Sequence, residues 1–261
     1  MHPLFEYRLK RVDSPFWAFA IHDGHQISDE VMPYMRLNET ERLREEDPYT
    51  ATFAELPVNQ FMVSTSRFQL DINRQPEDAV YLRPEQAWGL QVWKKTLPAE
   101  LLHQLYAEHA AIHQKIEAWI QHSIAHYGFF VVLDIHSYNA KRSNPDDIVD
   151  THANPQINLG TAYNHPKWDY IAKSFSESIS QHKLFDGAVD IRENIKFKGG
   201  YVAQQLTQKF GEQGCVLSIE FRKDFMDEWT GIPYPPLIKE YKQLLLYALN
   251  NLQDLFKNGA R

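Results

Sequence analysis

A single cysteine, Cys215, stands in 261 residues. It cannot form an internal disulfide, which suits a reducing compartment. An excess of positive charge is missing as well. The 27 Lys and Arg are outnumbered by 34 Asp and Glu, for a formal net charge of −7. A mildly acidic chain is poorly suited to nonspecific nucleic-acid binding, so no nucleic-acid partner is expected. Long apolar runs are absent. The patch at 16–21, which follows Arg8, Lys10 and Arg11, is too short for a signal-peptide core, and no stretch is long enough to span a membrane. A cytoplasmic protein without a membrane partner is expected. No repeat, low-complexity tract or obvious linker divides the chain, so one domain over 1–261 is expected. Apolar residues at 43% against 23% charged supply a packed core and exclude a disordered chain.

The most informative segment is 128–137, where Phe129-Phe130-Val131-Val132-Leu133 runs abruptly into Asp134-Ile135-His136-Ser137. Such a run, bounded by glycine and polar residues, reads as a buried strand. In open α/β sheets, ligands and catalytic groups gather at the carboxyl ends of such strands. Residues 16–21 read as a second strand, running into His22-Asp23-Gly24-His25. A third covers 61–64 and a fourth 215–220, ending at Glu220, with a short one near 188–191. Apolar residues at helical spacing predict a helix over about 98–126, and further helices are expected near 168–180, from an opening at Phe197-Lys198-Gly199-Gly200 through Phe210, and over about 235–255. Alternating helices and strands indicate an α/β fold with a mixed, largely parallel sheet flanked by helices.

His22, His136 and Glu220 thus stand at or just past the ends of three predicted strands, with the acidic segment Glu45-Glu46-Asp47 between the first two. Two histidines and one carboxylate form a common hydrolytic zinc set, and a further carboxylate outside that set can move the proton. Arg74 can grip a carboxylate on two nitrogens. Each piece also has a plainer reading. A strand-end histidine can simply close a polar contact, an acidic run can face solvent, and Glu220 can pair with Arg222. Asn73-Arg74 before Gln75-Pro76 can be turn chemistry.

Several segments nevertheless occur in the order of one known family. Ile21-His22-Asp23-Gly24 loosely matches an opening Pro-His-Ser-Gly, and Glu45-Glu46-Asp47 matches an acidic segment. Ser66-Arg67 through Asp71-Ile72-Asn73-Arg74 matches a Ser-Arg-x-x-x-Asp-x-Asn-Arg signature in full. Asp134 to Ser137, Pro155 to Gly160 and Phe197 to Tyr201 match three more, and Glu220 with Phe225-Met226-Asp227-Glu228 echoes the last. On these residues the sequence resembles the N-formylglutamate amidohydrolase family, relatives of the zinc carboxypeptidases. The resemblance implies a zinc carboxypeptidase-like (phosphorylase/hydrolase-like) fold and Zn²⁺, or another divalent metal, as cofactor. His22, Asp47 and His136 would be metal ligands, with Glu46 and His25 as alternatives, since His25 falls where the carboxypeptidase relatives place a carboxylate ligand. Asn73 and Arg74 would bind the substrate carboxylate, with Arg67 and Arg222 as further contacts or as positioners of Glu220, the general acid/base. The implied activity is hydrolysis of the amide of an N-acyl amino acid, an acidic one such as N-formylglutamate, a small-molecule partner. The alternatives are a carboxypeptidase-like peptidase acting on short peptides and a non-catalytic binding protein. Asp23 replaces the usual Ser, and Phe225 a common Tyr, so the acyl group and amino acid can differ. Trp88, Val92 and Trp93 fit either an apolar surface for oligomerisation or the core.

Overall fold

In the computed structural model, which describes residues 3–184 and 187–257, the apolar runs lie side by side. The chain opens with β1 (Tyr7–Lys10) and β2 (Phe16–Ala20); helices α1 (Glu39–Glu45) and α2 (Thr50–Ala54) lead to β3 (Asn59–Val63). The long α3 (Ala99–Tyr127) precedes β4 (Phe130–Tyr138), β5 (Ile157–Gly160) and α4 (Asp169–Gln181). A detached pair, β6 (Lys183–Leu184) and β7 (Gly187–Ala188), is followed by β8 (Ile191–Glu193), α5 (Tyr201–Phe210), β9 (Gly214–Arg222) and α6 (Pro235–Lys257). Seven strands form one sheet in the order β1-β3-β2-β4-β9-β5-β8. Its centre, β3-β2-β4-β9, is parallel. At one edge β1 runs antiparallel to β3; at the other, β5 runs antiparallel to β9 and parallel to β8. The expected single-domain α/β fold with a mixed, mostly parallel sheet is present. No helix among the described residues is long and apolar enough to cross a membrane.

Two expectations need correction. The strand near 188–191 is really two pieces. Gly187–Ala188 pairs with β6, whereas Ile191–Glu193 joins the main sheet. Gln156 Oε1 accepts the Asp190 N–H at 2.9 Å, which turns the chain between the two sheets. The strand ending near Leu133 instead continues to Tyr138, because β9 pairs with it as far as Tyr138↔Arg222. His136 is therefore held inside a strand rather than beyond its end.

Strand alternation divides the core. Val131, Leu133 and Ile135 of β4, with Cys215, Leu217 and Ile219 of β9, pack beneath α4 and α6. Phe130, Val132 and Val216 face the other way, into a layer shared with α3 and α5 that includes Trp17, Phe19 and Ile21. Successive strand residues point to opposite faces, so Asp134, His136 and Glu220 continue this second face. It is apolar low on the sheet and polar at the carboxyl ends. The helix α3 stops at Gly128, whose φ of 81° suits glycine and whose N–H donates to Ile124 O at 2.8 Å.

Candidate active site

Register brings the first two groups together. His136 of β4 is paired directly with Glu220 of β9, and paired residues of parallel strands share a face. His22 follows the end of β2, the other neighbour of β4. The Asp47 N–H donates to His22 O at 2.9 Å, which draws the acidic segment to the same place. Lys223 secures that segment, its Nζ donating to Arg44 O at 2.6 Å and to Glu46 O at 2.7 Å. Burial pushes the Lys223 ammonium down to about 8.

His22, Asp47 and His136 are all buried, and one ligand atom from each lies within 4.8 Å of the others. Both imidazoles turn Nδ1 toward Asp47 Oδ2, His136 at 3.1 Å and His22 at 3.4 Å. Each Nε2 meets a different buried carboxylate. His22 Nε2 lies 2.8 Å from Asp71 Oδ1 in hydrogen-bond geometry. His136 Nε2 lies 3.0 Å from Asp134 Oδ1, an oxygen without a well-angled hydrogen bond. With a cation beside the Nδ1 atoms, the ring protons would sit on Nε2, facing Asp71 and Asp134, carboxylates that only accept, and each Nδ1 would be left as a ligand. Burial would raise the Asp47 carboxyl, but hydrogen bonds from His136 and His22 hold it well below the usual carboxylate range. Two imidazoles and one carboxylate, backed by two more carboxylates, fit a divalent cation in donor type and charge.

Asp71 is the hub of the opposite wall. It accepts from Arg67 at 2.8 Å, from the Asn73 N–H at 2.8 Å and from the Tyr81 hydroxyl. Asn73 Oδ1 accepts from Val202 N–H at 3.0 Å, and its Nδ2 lies 3.4 Å from His136 Nε2. A β-carbon on Gly200 would overlap the Asn73 amide, so glycine permits this close approach. Arg74 leaves the same turn with its side chain 43% exposed. Glu220 is half-buried at the cavity wall. Burial pushes its carboxyl up to about 7, against the lowering effect of His136 and with help from Asp47 and Asp134. These groups share a cavity of about 530 Å³. Although the whole chain is acidic, six cations line this cavity: Arg67, Arg74, Arg142, Lys196, Lys198 and Lys223.

Not every expected residue meets there. His25 Nδ1 is paired with Glu46 Oε2 at 2.6 Å, and Glu46 also takes the Ser66 hydroxyl, so neither joins the three-residue cluster. Arg222 faces Asp224 at 2.7 Å and Asn154 O at 2.6 Å and does not line the cavity. Phe225 is fully buried against Phe53 and Tyr241, so its departure from the family pattern is a core matter. Asp23 caps the Ala51 N–H at 3.0 Å. Val92 and Trp93 are buried in the core, while Trp88 lines the cavity with Arg67 stacked 4.8 Å above it. Sequence reasoning missed Asp71, Asp134 and Lys223. Asp71 lies inside the Ser66–Arg74 signature, and Asp134 precedes His136 by two, the spacing that puts both on one strand face.

The family model for N-formylglutamate amidohydrolase matches residues 14–226. The fold is similar to that of an N-formylglutamate amidohydrolase from Ralstonia eutropha, with a TM-score of 0.66 at 15% identity over 95% of this chain and 98% of that one. A gene product from Agrobacterium tumefaciens is similar at a TM-score of 0.64 and 14% identity, covering 95% of both chains. A metallo-carboxypeptidase from Burkholderia cenocepacia gives a TM-score of only 0.40 at 13% identity, over 97% of this chain and 66% of that one. No curated protein sequence matches.

Proposed function

This chain belongs to the N-formylglutamate amidohydrolase family, and on that premise we propose a zinc-dependent hydrolase that cleaves the amide of an N-acylated acidic amino acid such as N-formylglutamate. The observation that carries the reading is the pair of buried imidazoles, each backed by its own carboxylate, turned toward Asp47 on the floor of a cation-lined cavity.

In this reading His22, Asp47 and His136 hold the metal. When bound, the ion supplies Lewis acidity, acidifying water and polarising an acyl carbonyl. Glu220 takes the proton from the attacking water and delivers it to the departing nitrogen. Burial supports that role by raising its carboxyl to about 7, where it can both accept and donate near neutral pH. Asn73 and Arg74 bind the substrate carboxylate and fix the amide beside Glu220, so binding also orients the reactants. Arg67, tied to Asp71, keeps that wall in place. Arg222, engaged by Asp224, braces the end of β9 rather than touching substrate. The cationic lining favours an anionic substrate over a neutral one.

The test is metal content by mass spectrometry on protein purified without chelator, beside turnover of a panel of formyl-, acetyl- and succinyl-amino acids. About one zinc per chain, lost in His136→Ala, with the best kcat/KM on an acidic amino acid, is expected. Absence of bound metal from folded protein, or a preference for neutral dipeptides, would overturn the reading.

A further inference from the structure

Two histidines outside the metal cluster are as thoroughly buried as those within it. His109 and His113 lie one turn apart on α3, with ring centroids 4.4 Å apart. Burying an imidazole is costly unless its polar atoms are satisfied. His109 Nε2 lies 3.0 Å from Arg74 O, and His113 Nε2 lies 2.9 Å from Ile72 O. A carbonyl only accepts, so both histidines carry their proton on Nε2. The carbonyl between them, that of Asn73, accepts the Tyr201 N–H at 3.2 Å. Three successive carbonyls are thereby each held by a helix, two by α3 and one by the start of α5. The Tyr201 ring completes the enclosure, 6.0 Å from His109 and 5.2 Å from His113. Burial lowers both histidines, His113 to about 4, which keeps them neutral donors at ordinary pH.

We propose that His109 and His113 are positioning residues for substrate binding: by pinning the backbone on both sides of Asn73 they fix where the exposed Arg74 guanidinium enters the cavity. The proposal rests on the reading that Asn73 and Arg74 bind the substrate carboxylate. Neither histidine touches substrate. Core packing alone does not call for imidazole here, since α3 already turns Leu105, Ile112 and Ile116 to the same layer. Leucine at 109 and 113 would add apolar contact yet leave the carbonyls of Arg74 and Ile72 without these donors.

The test compares three substitutions at each position in the zinc-loaded protein, with N-formyl-L-glutamate as probe. Glutamine can place an N–H where imidazole Nε2 sits, asparagine ends nearer the Nδ1 position, and leucine has no donor. His109→Leu and His113→Leu are expected to raise KM about fivefold each, the effect of one lost hydrogen bond, with kcat changed less than twofold. The glutamine variants should return KM to within twofold of the parent. If the leucine variants do not fold, asparagine against glutamine makes the same comparison. An unchanged KM accompanied by a lower melting temperature, or equal losses in asparagine and glutamine variants, would overturn the proposal. Arg74→Ala separates the two readings. If it raises KM while the histidine variants do not, only the positioning role fails. If it leaves KM unchanged, the carboxylate reading and the positioning role fail together.

Discussion

Asp134 makes a single close contact in the site, to His136, and that makes it the cleanest residue to perturb. Asp134→Asn keeps the shape and removes the charge. Its neighbours stay in place, because among the described residues Ser218 is the only other side chain in polar contact with it, at 3.5 Å. What changes is the hold on His136. A neutral amide is a poorer acceptor, and its nitrogen can donate to Nε2, which would shift the ring proton to Nδ1 and block the ligand atom. Outer-shell partners of this kind are worth tenfold to hundredfold in metal affinity, about 1.4–2.7 kcal/mol. The Asp134 contact is 3.0 Å long and poorly angled, whereas Asp71 receives His22 at 2.8 Å in good geometry. Asp134→Asn should therefore fall near the lower end, about tenfold, and Asp71→Asn near the upper end. Asp71→Asn should also destabilise the fold, because it leaves the buried Arg67 cation without its carboxylate. The assay is competition for zinc against a chelator of known affinity, with circular dichroism confirming the fold. Zinc affinity in Asp134→Asn within twofold of the parent would refute the tautomer argument.

Glu220→Gln should keep its zinc and lose about 10²-fold to 10⁴-fold in kcat; retained turnover would move the proton transfer to another group. A base must be deprotonated to act, so kcat/KM should rise with pH through an acid limb at or below 7, since burial sets the Glu220 carboxyl at about 7 and a bound cation lowers it; a pH profile whose acid limb lies well above 7 would contradict this. His113 titrates near 4 when folded and near 6.5 when unfolded, so the unfolded chain binds more protons between these values. Stability is then fully present above 6.5 and is lost as pH falls toward 4, by about 3 kcal/mol from this residue. Urea unfolding across that window should show a loss smaller in His113→Gln than in the parent by about 3 kcal/mol. Gly200→Ala should displace the Asn73 amide and raise KM severalfold; an unchanged KM would mean that Asn73 does not contact substrate.

The central strands were legible because β2, β4 and β9 are covered on both faces and so are largely apolar up to their carboxyl ends. The edges were not. β1 alternates half-buried and exposed residues over only four positions, and β5 carries the buried Asn158 between Ile157 and Leu159. The helix α1 carries a capping box, Asn38 with Glu41, that could have revealed it. In the site, types of residue were readable but not their meeting. His22, Asp47 and His136 are far apart in the chain, and only shared motifs linked them. The supporting carboxylates escaped notice because a buried Asp beside a histidine leaves no period. Arg222 and His25 show the converse: a charged residue next to a motif can be absorbed by a local partner such as Asp224 or Glu46.

The direct pairing of His136 with Glu220 across β4 and β9 also bears on how such a protein can diverge. Their separation is a lattice constant of the sheet, indifferent to what the loops do. Arg142, Lys196 and Lys198 project from connecting segments that take no part in that lattice. Under the proposed function, change can accumulate in those segments, exchanging one acylated substrate for another, while His136 and Glu220 stay in step. Retargeting by design has the same freedom: the frame can be left untouched and only the arches above it rewritten.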